Sequence, residues 1–119
     1  MSAVALWGGV AVLGGLGAVA RFLLHEAVSK TAGTHLPLGT LAVNVTGSFV
    51  LGVLVGAGVR GDAYLLTGTA VVGSYTTFST WIFDSAHLRT QGRTAAAAAN
   101  VIVSLGAGLG AVALGRLLA

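Results

Sequence analysis

Read from its first residue, the chain alternates long apolar runs with short polar interruptions, and the interruptions carry nearly all the charge. Glu26 and Lys30 fall in the first interruption, Arg60 and Asp62 in the second, and Asp84, Arg89 and Arg93 in the third. Between them lie four apolar runs, at roughly 3–24, 37–58, 64–83 and 94–117. Each reaches the about 20 residues that an α-helix needs to cross the hydrocarbon core of a bilayer. None shows the apolar–polar alternation of a strand with one buried face. Backbone groups in hydrocarbon must pair inside a helix or around a closed barrel, and unbroken apolar runs select the helix. The pattern predicts an all-α membrane protein with four transmembrane helices, folded as a single domain over residues 1–119. Pro37 suits the first turn of the second helix, where its missing N–H would have had no partner.

Composition strengthens that reading. Hydrophobic residues make up 55% of the chain and charged residues 8%, against about 25% charged in an ordinary soluble domain. The absence of cysteine excludes disulfides, thiolate metal sites and a cysteine nucleophile. The N-terminus lacks a basic segment and a cleavage site, so the first run is expected to be a retained helix and not a signal peptide. The arginines stand near expected helix ends, which fits interfacial anchoring; no basic cluster with interleaved aromatics points to nucleic acid.

An even number of spans puts both termini on one side. That side holds Arg60 and Arg116, and the other holds Arg21, Lys30, Arg89 and Arg93. Four against two is a weak positive-inside bias, which predicts insertion in either orientation or a slight preference for termini outside.

The polar residues inside the runs are the candidate chemistry. Asn44, in GTLAVNVTGSFVLG, shares a helical face with Thr40, Gly47 and Ser48. Two roles are open to it: satisfaction by a neighbouring helix, or donation of its NH2 to a passing anion. Arg21, in GGLGAVARF, is expected to end the first span as an interfacial anchor, with attraction of anions to a vestibule as the alternative. Ser48, Gly52 and Gly56, and likewise Asn100, Ser104 and Gly108, recur every fourth residue, a spacing that lets helix backbones approach.

The stretch GSYTTFSTW, residues 73–81, is the most unusual. Hydroxyl side chains compete for backbone hydrogen bonds and glycine costs backbone entropy, so a break in the third helix is expected; a continuous helix with its hydroxyls bonded back to the preceding turn is the alternative. Irregular backbone at membrane depth survives where it is buried in protein or lines a polar cavity, and freed carbonyls there can coordinate a monovalent cation. Phe78 and Trp81 fall on nearly one face after the break, where positive ring edges favour an anion; a plain core contact is the alternative.

Together GTLAVNVTGSFVLG, GSYTTFSTW and GGLGAVARF resemble, in order and across essentially the whole chain, the Fluc (CrcB) family of fluoride ion channels. The resemblance implies a passive, fluoride-selective channel of the cell inner (plasma) membrane that exports fluoride and lowers its cytoplasmic concentration. It implies an antiparallel, dual-topology homodimer in which two pores form at the subunit interface. A structural sodium ion would sit at the dimer centre, held by backbone carbonyls of Gly73 and Thr76. The ion pathway would include Asn44, Phe78, Ser79, Thr80, Trp81 and Ser104, with Arg21 in a structural role. Three positions depart from the family pattern: Trp81 stands where a second phenylalanine is usual, Asn100 where a tyrosine is common, and Asp84 where a glutamate is usual.

Other readings remain open at this point. Some members of the family pair two unlike chains, so a heterodimer with a related chain is an alternative to the homodimer. A small proton-coupled multidrug exporter shares the length and four spans but needs a titratable group inside the membrane, and the first three spans hold no acid before Asp84. A non-conducting accessory subunit needs only the small-residue faces. An enzyme fits poorest: His25, His35 and His87 have no spacing that builds a metal site on one helix.

Overall fold

A computed structural model describes residues 1–119, and every regular element in it is helical. Helix α1 spans Ala3–Ala32, starting where the Ser2 hydroxyl accepts a hydrogen bond from the Ala5 N–H at 3.1 Å. It stops at Gly33, whose φ of 56° is a left-handed conformation that glycine adopts without a Cβ penalty. Helix α2 spans Leu38–Gly56 and follows directly on Pro37. Helix α3 (Gly61–Tyr64) runs without a gap into a π-helical segment, Leu65–Val72, and on into α4, Gly73–Tyr75. Helix α5 (Ser79–Thr90) and helix α6 (Thr94–Leu118) complete the chain.

The first and third apolar runs differ from the helices they form. Helix α1 continues past residue 24 to Ala32, so Arg21 lies inside the helix instead of ending it. The helix carries Arg21, His25, Glu26 and Lys30 because backbone hydrogen bonding continues where apolarity stops; at a rise of about 1.5 Å per residue its 30 residues reach about 45 Å, longer than the about 30 Å hydrocarbon core. The third run begins its helix at Gly61, and helical backbone ceases after Tyr75. Gly73 itself is helical, with φ −61° and ψ −38°. Thr76 is extended, with ψ 158°, and regular helix returns at Ser79.

Helices α1, α2 and α6 are each long and apolar enough to cross a membrane. The tightest packing joins α2 to α6. A Cβ on Gly52 would strike the Val112 carbonyl, and one on Gly115 would strike the Phe49 carbonyl, so the two backbones touch where each helix lacks a side chain. Helix α1 packs along the π-helical segment, with Gly17 against Val71 and Ser74. Helix α5 leans on α6.

Only 14 of 119 residues are buried, and the large apolar side chains point outward: Leu16, Val19 and Phe22 on α1, Leu105 and Leu109 on α6, Phe78 and Phe83 beside the interruption. A water-soluble monomer rarely exposes a contiguous apolar patch beyond a few hundred Å². A molecule with its apolar groups outside and its few buried polar groups paired is built for a lipid solvent.

Candidate functional site

The non-helical residues 76–78 are held by a side chain from another helix. Asn44, on α2, donates from Nδ2 to the Thr77 carbonyl at 2.8 Å and accepts at Oδ1 from the Thr77 N–H, also at 2.8 Å. One primary amide thus pairs with both polar groups of one peptide residue, as a strand neighbour would. Thr77 is buried, and without this clamp its N–H and C=O would face apolar surroundings unpaired. Asn44 retains one N–H and spare acceptor capacity.

Thr77 in turn starts the next helix. Its Oγ1 accepts from the Thr80 N–H at 3.2 Å and donates to Thr80 Oγ1 at 3.0 Å, the side-chain capping that satisfies an otherwise orphaned N–H of the first turn. Thr76 Oγ1 bonds back to the Val72 carbonyl at 2.9 Å and Ser74 Oγ to the Ala70 carbonyl at 2.6 Å. The hydroxyl-rich stretch therefore divides its labour: Ser74 and Thr76 close the preceding helix, and Thr77 opens the following one.

The helix that stops at Tyr75 leaves its last carbonyls without helical partners, those of Gly73 and Ser74 included, and the Thr76 carbonyl is free as well. In a continuous helix the Gly73 carbonyl would accept from the Thr77 N–H and the Thr76 carbonyl from the Thr80 N–H. Those two N–H groups are bound instead by Asn44 Oδ1 and Thr77 Oγ1. Carbonyls at a helix C-terminus carry partial negative charge, and N–H groups at an N-terminus partial positive charge. The interruption thus sets a cation-favouring end against an anion-favouring end.

A groove of about 320 Å³ opens beside it, lined among others by Asn44, Ser48, Thr76, Phe78, Trp81 and Ser104. Four of the six pathway residues named from sequence, Asn44, Phe78, Trp81 and Ser104, meet here. Thr80 lines a second groove of about 190 Å³ with Arg21, Phe22, His25, Val43 and Thr77. Ser79 lines neither and is exposed. Phe78 is 71% exposed, so its ring is held by the Trp81 ring alone among aromatic neighbours, with centroids 5.6 Å apart and planes at 82°. Such an edge-to-face pair follows the ring quadrupoles.

Trp81 is fixed on its far side. Its indole N–H donates to the Asn100 main-chain carbonyl at 3.3 Å, Asn100 Nδ2 donates to Ser85 Oγ at 2.8 Å, and Ser85 Oγ donates to the Trp81 carbonyl at 2.9 Å. Ser104 Oγ reaches Asn100 Oδ1 at 3.4 Å. At the start of α2, buried Thr40 donates to Asp84 Oδ2 at 2.8 Å.

Three participants were not singled out in the sequence. Thr77 joins the Asn44 clamp to the cap on α5, yet nothing local distinguishes it from Thr76. Ser85 and Tyr75 are the others, the latter sharing a 2.7 Å hydrogen bond with Thr46. The partners of all three, an amide for the Thr77 backbone and the Ser85 hydroxyl and a threonine for Tyr75, are revealed only by spatial proximity.

An all-helical chain with three helices long and apolar enough to cross a membrane, and a largely apolar groove into which an amide and hydroxyls are set beside an irregular backbone segment, is a multi-pass membrane protein. Residues 9–116 match the family described as CrcB-like protein, Camphor Resistance (CrcB), and the chain belongs to that family. It is 46% identical over 119 residues to a protein of Mycolicibacterium paratuberculosis named fluoride-specific ion channel FluC 2, covering 100% of this chain and 98% of the relative. A protein of the same name from Mycobacterium tuberculosis is 45% identical over 116 residues, covering 98% and 92%. One from Haloarcula marismortui is 44% identical over 101 residues, covering 85% and 82%.

Proposed function

We propose that this protein is a passive, fluoride-selective ion channel of the cell membrane that lets fluoride leave and so lowers its cytoplasmic concentration. The observation that carries the reading is the groove at the interrupted segment, where an intramembrane amide, hydroxyls and two aromatic rings converge without a charged side chain. The names of relatives that match the whole chain supply the ion.

In this reading residues 61–75 and α5 form one interrupted crossing, the fourth span beside α1, α2 and α6. The outward apolar faces pack against lipid and against a second, antiparallel copy, and the groove becomes a closed pathway only with that copy in place. A heterodimer with a related chain would serve the same geometry.

Fluoride is compact and strongly hydrated, so its passage requires groups that replace water without holding it too well to leave. The free N–H of Asn44, the hydroxyl of Thr80, and the ring edges of Phe78 and Trp81 are neutral donors of that modest kind, and Ser104 lines the groove with its hydroxyl donated to Asn100 Oδ1. A structural sodium ion at the dimer centre fits the donor set, because the Gly73 and Thr76 carbonyls are hard oxygen donors relieved of their helical partners. Bound there, it would add positive field beside the pathway. Arg21 lies on the second groove and contributes positive potential near the anion-favouring start of α5.

The test is fluoride efflux from liposomes holding only this purified chain, with chloride as control. Fluoride efflux far above chloride, slowed by Phe78→Ile in a protein that remains folded and dimeric, is the expected result. Phe78 suits the purpose because its exposed ring adds little to the subunit's own core. Absence of fluoride efflux from folded dimer would refute the homomeric channel, and restoration by a related chain would then establish the heterodimer. Efflux that depends on a proton gradient would favour an exporter instead.

A further inference from the structure

We propose that Asn100 is a positioning residue for ion passage: together with Ser85 it keeps the Trp81 indole N–H engaged inside the protein, so that Trp81 offers the groove only carbon-bound ring edge. The inference rests on the groove being the fluoride pathway.

The indole carries a single polar group, a donor with no acceptor capacity. Once that N–H is directed to the Asn100 carbonyl, nothing but the carbon perimeter remains to line the groove. An unengaged N–H at the same place would be a strong neutral donor beside a poorly solvated fluoride. Hydrogen bonds to a charged partner are about twice as strong as neutral ones, and a site that binds too well slows exit. Trp81 thus acts as an aromatic edge like its partner Phe78, despite being the more polar residue.

The bond from indole to carbonyl is long, at 3.3 Å, and would not hold the ring unaided. What fixes it is the short bridge alongside. Asn100 Nδ2 to Ser85 Oγ is 2.8 Å, and Ser85 Oγ to the Trp81 carbonyl is 2.9 Å. Ser85 is buried, so this bridge is shielded from competing solvent and ties the backbone of α5 at Trp81 to α6 at Asn100. The other end of the same amide, Oδ1, accepts from Ser104, which biases the direction in which that groove hydroxyl donates. One side chain therefore sets two groups that line the groove.

The experiment uses the full chain carrying Trp7→Phe, which removes the other indole, on an exposed position of α1. In detergent micelles the Trp81 indole N–H is observed by NMR, for hydrogen exchange and for its response to added sodium fluoride. In liposomes, fluoride efflux is compared among the parent, Asn100→Leu, and Asn100→Leu combined with Trp81→Phe. Expected are a protected, fluoride-insensitive indole N–H in the parent, and faster exchange with a fluoride-dependent shift in Asn100→Leu. Efflux should fall about tenfold in Asn100→Leu, the size of one charge-assisted hydrogen bond, and return to within about threefold of the parent when phenylalanine removes the N–H. A merely structural Asn100 would not be rescued in this way. The proposal is overturned by a fluoride-sensitive indole N–H in the parent, by undiminished efflux in Asn100→Leu, or by failure of the double variant to recover. If the parent carries no fluoride, the channel reading fails, and the exchange and fluoride response of the indole N–H alone decide whether Asn100 sequesters it.

Discussion

Replacing Asn44 by alanine removes both hydrogen bonds that hold Thr77, and the structure sets the scale of the loss. Each bond is 2.8 Å long and links a side-chain amide to a backbone group. A typical intramolecular hydrogen bond contributes about 0.5–1.5 kcal/mol net, while a buried group stripped of its partner costs about 1–3 kcal/mol. Thr77 is only 9% exposed, so water does not substitute for the amide. The expected destabilisation is about 2–4 kcal/mol. Thr46→Val is the matched control on the same helix: the Thr46 hydroxyl bonds to its own Ala42 carbonyl and to Tyr75, but it is exposed, and its loss should cost about 1 kcal/mol or less. Equilibrium unfolding in mixed micelles, followed by tryptophan fluorescence, measures both. Hydrogen exchange at the Thr77 amide gives a local readout, with protection expected to collapse in Asn44→Ala alone. If Asn44→Ala unfolds no more easily than Thr46→Val and the Thr77 amide stays protected, the clamp is not what holds the interruption open. Any loss of fluoride efflux in Asn44→Ala must accordingly be judged against the amount of folded protein.

Thr77→Val deletes the cap on α5 while keeping the side chain's volume, and should destabilise the protein by about 1 kcal/mol, read in the same unfolding assay with exchange rising at the Thr80 amide. Gly52→Leu forces a side chain into the Val112 carbonyl; overpacking of this kind costs about 1–3 kcal/mol or more, and a melting temperature unchanged from the parent would refute the close α2–α6 contact. On the proposed cation site, removing sodium from both sides of the liposome membrane should reduce fluoride efflux and lower the thermal stability of the protein, since the Gly73 and Thr76 carbonyls would then lack a cation partner. Potassium at equal ionic strength is the control, and equal behaviour in the two salts would count against the cation site.

Trp81 and Asn100 illustrate how far the one-dimensional record reaches. Each could be recognised separately as a departure from the family pattern, because each lies at a fixed distance from a motif. That they touch, with an indole donating to a main-chain carbonyl across 19 residues of chain, follows only from α5 folding back on α6. The same holds for Arg21. Its place after an apolar run marked an interfacial position, whereas the helix that continues beyond it and the groove it shares with Thr77 and Thr80 depend on neighbours that the run does not encode.

What the sequence determined by itself is what depends on composition over a single helix length: the solvent is lipid, the elements are helices, small residues mark the faces where backbones meet, and GSYTTFSTW carries the unusual chemistry. These follow from local free energies, the transfer of apolar side chains and the pairing of each peptide group within its own segment. Tertiary structure decided which hydroxyl of that stretch ends one helix and which begins the next, and that Asn44, from 33 residues away, takes the N–H that Gly73 would otherwise have accepted. The physical reason is that a buried polar group takes whichever partner the fold brings within about 3 Å, and for the Thr77 peptide group and the Trp81 indole that partner lies on another helix.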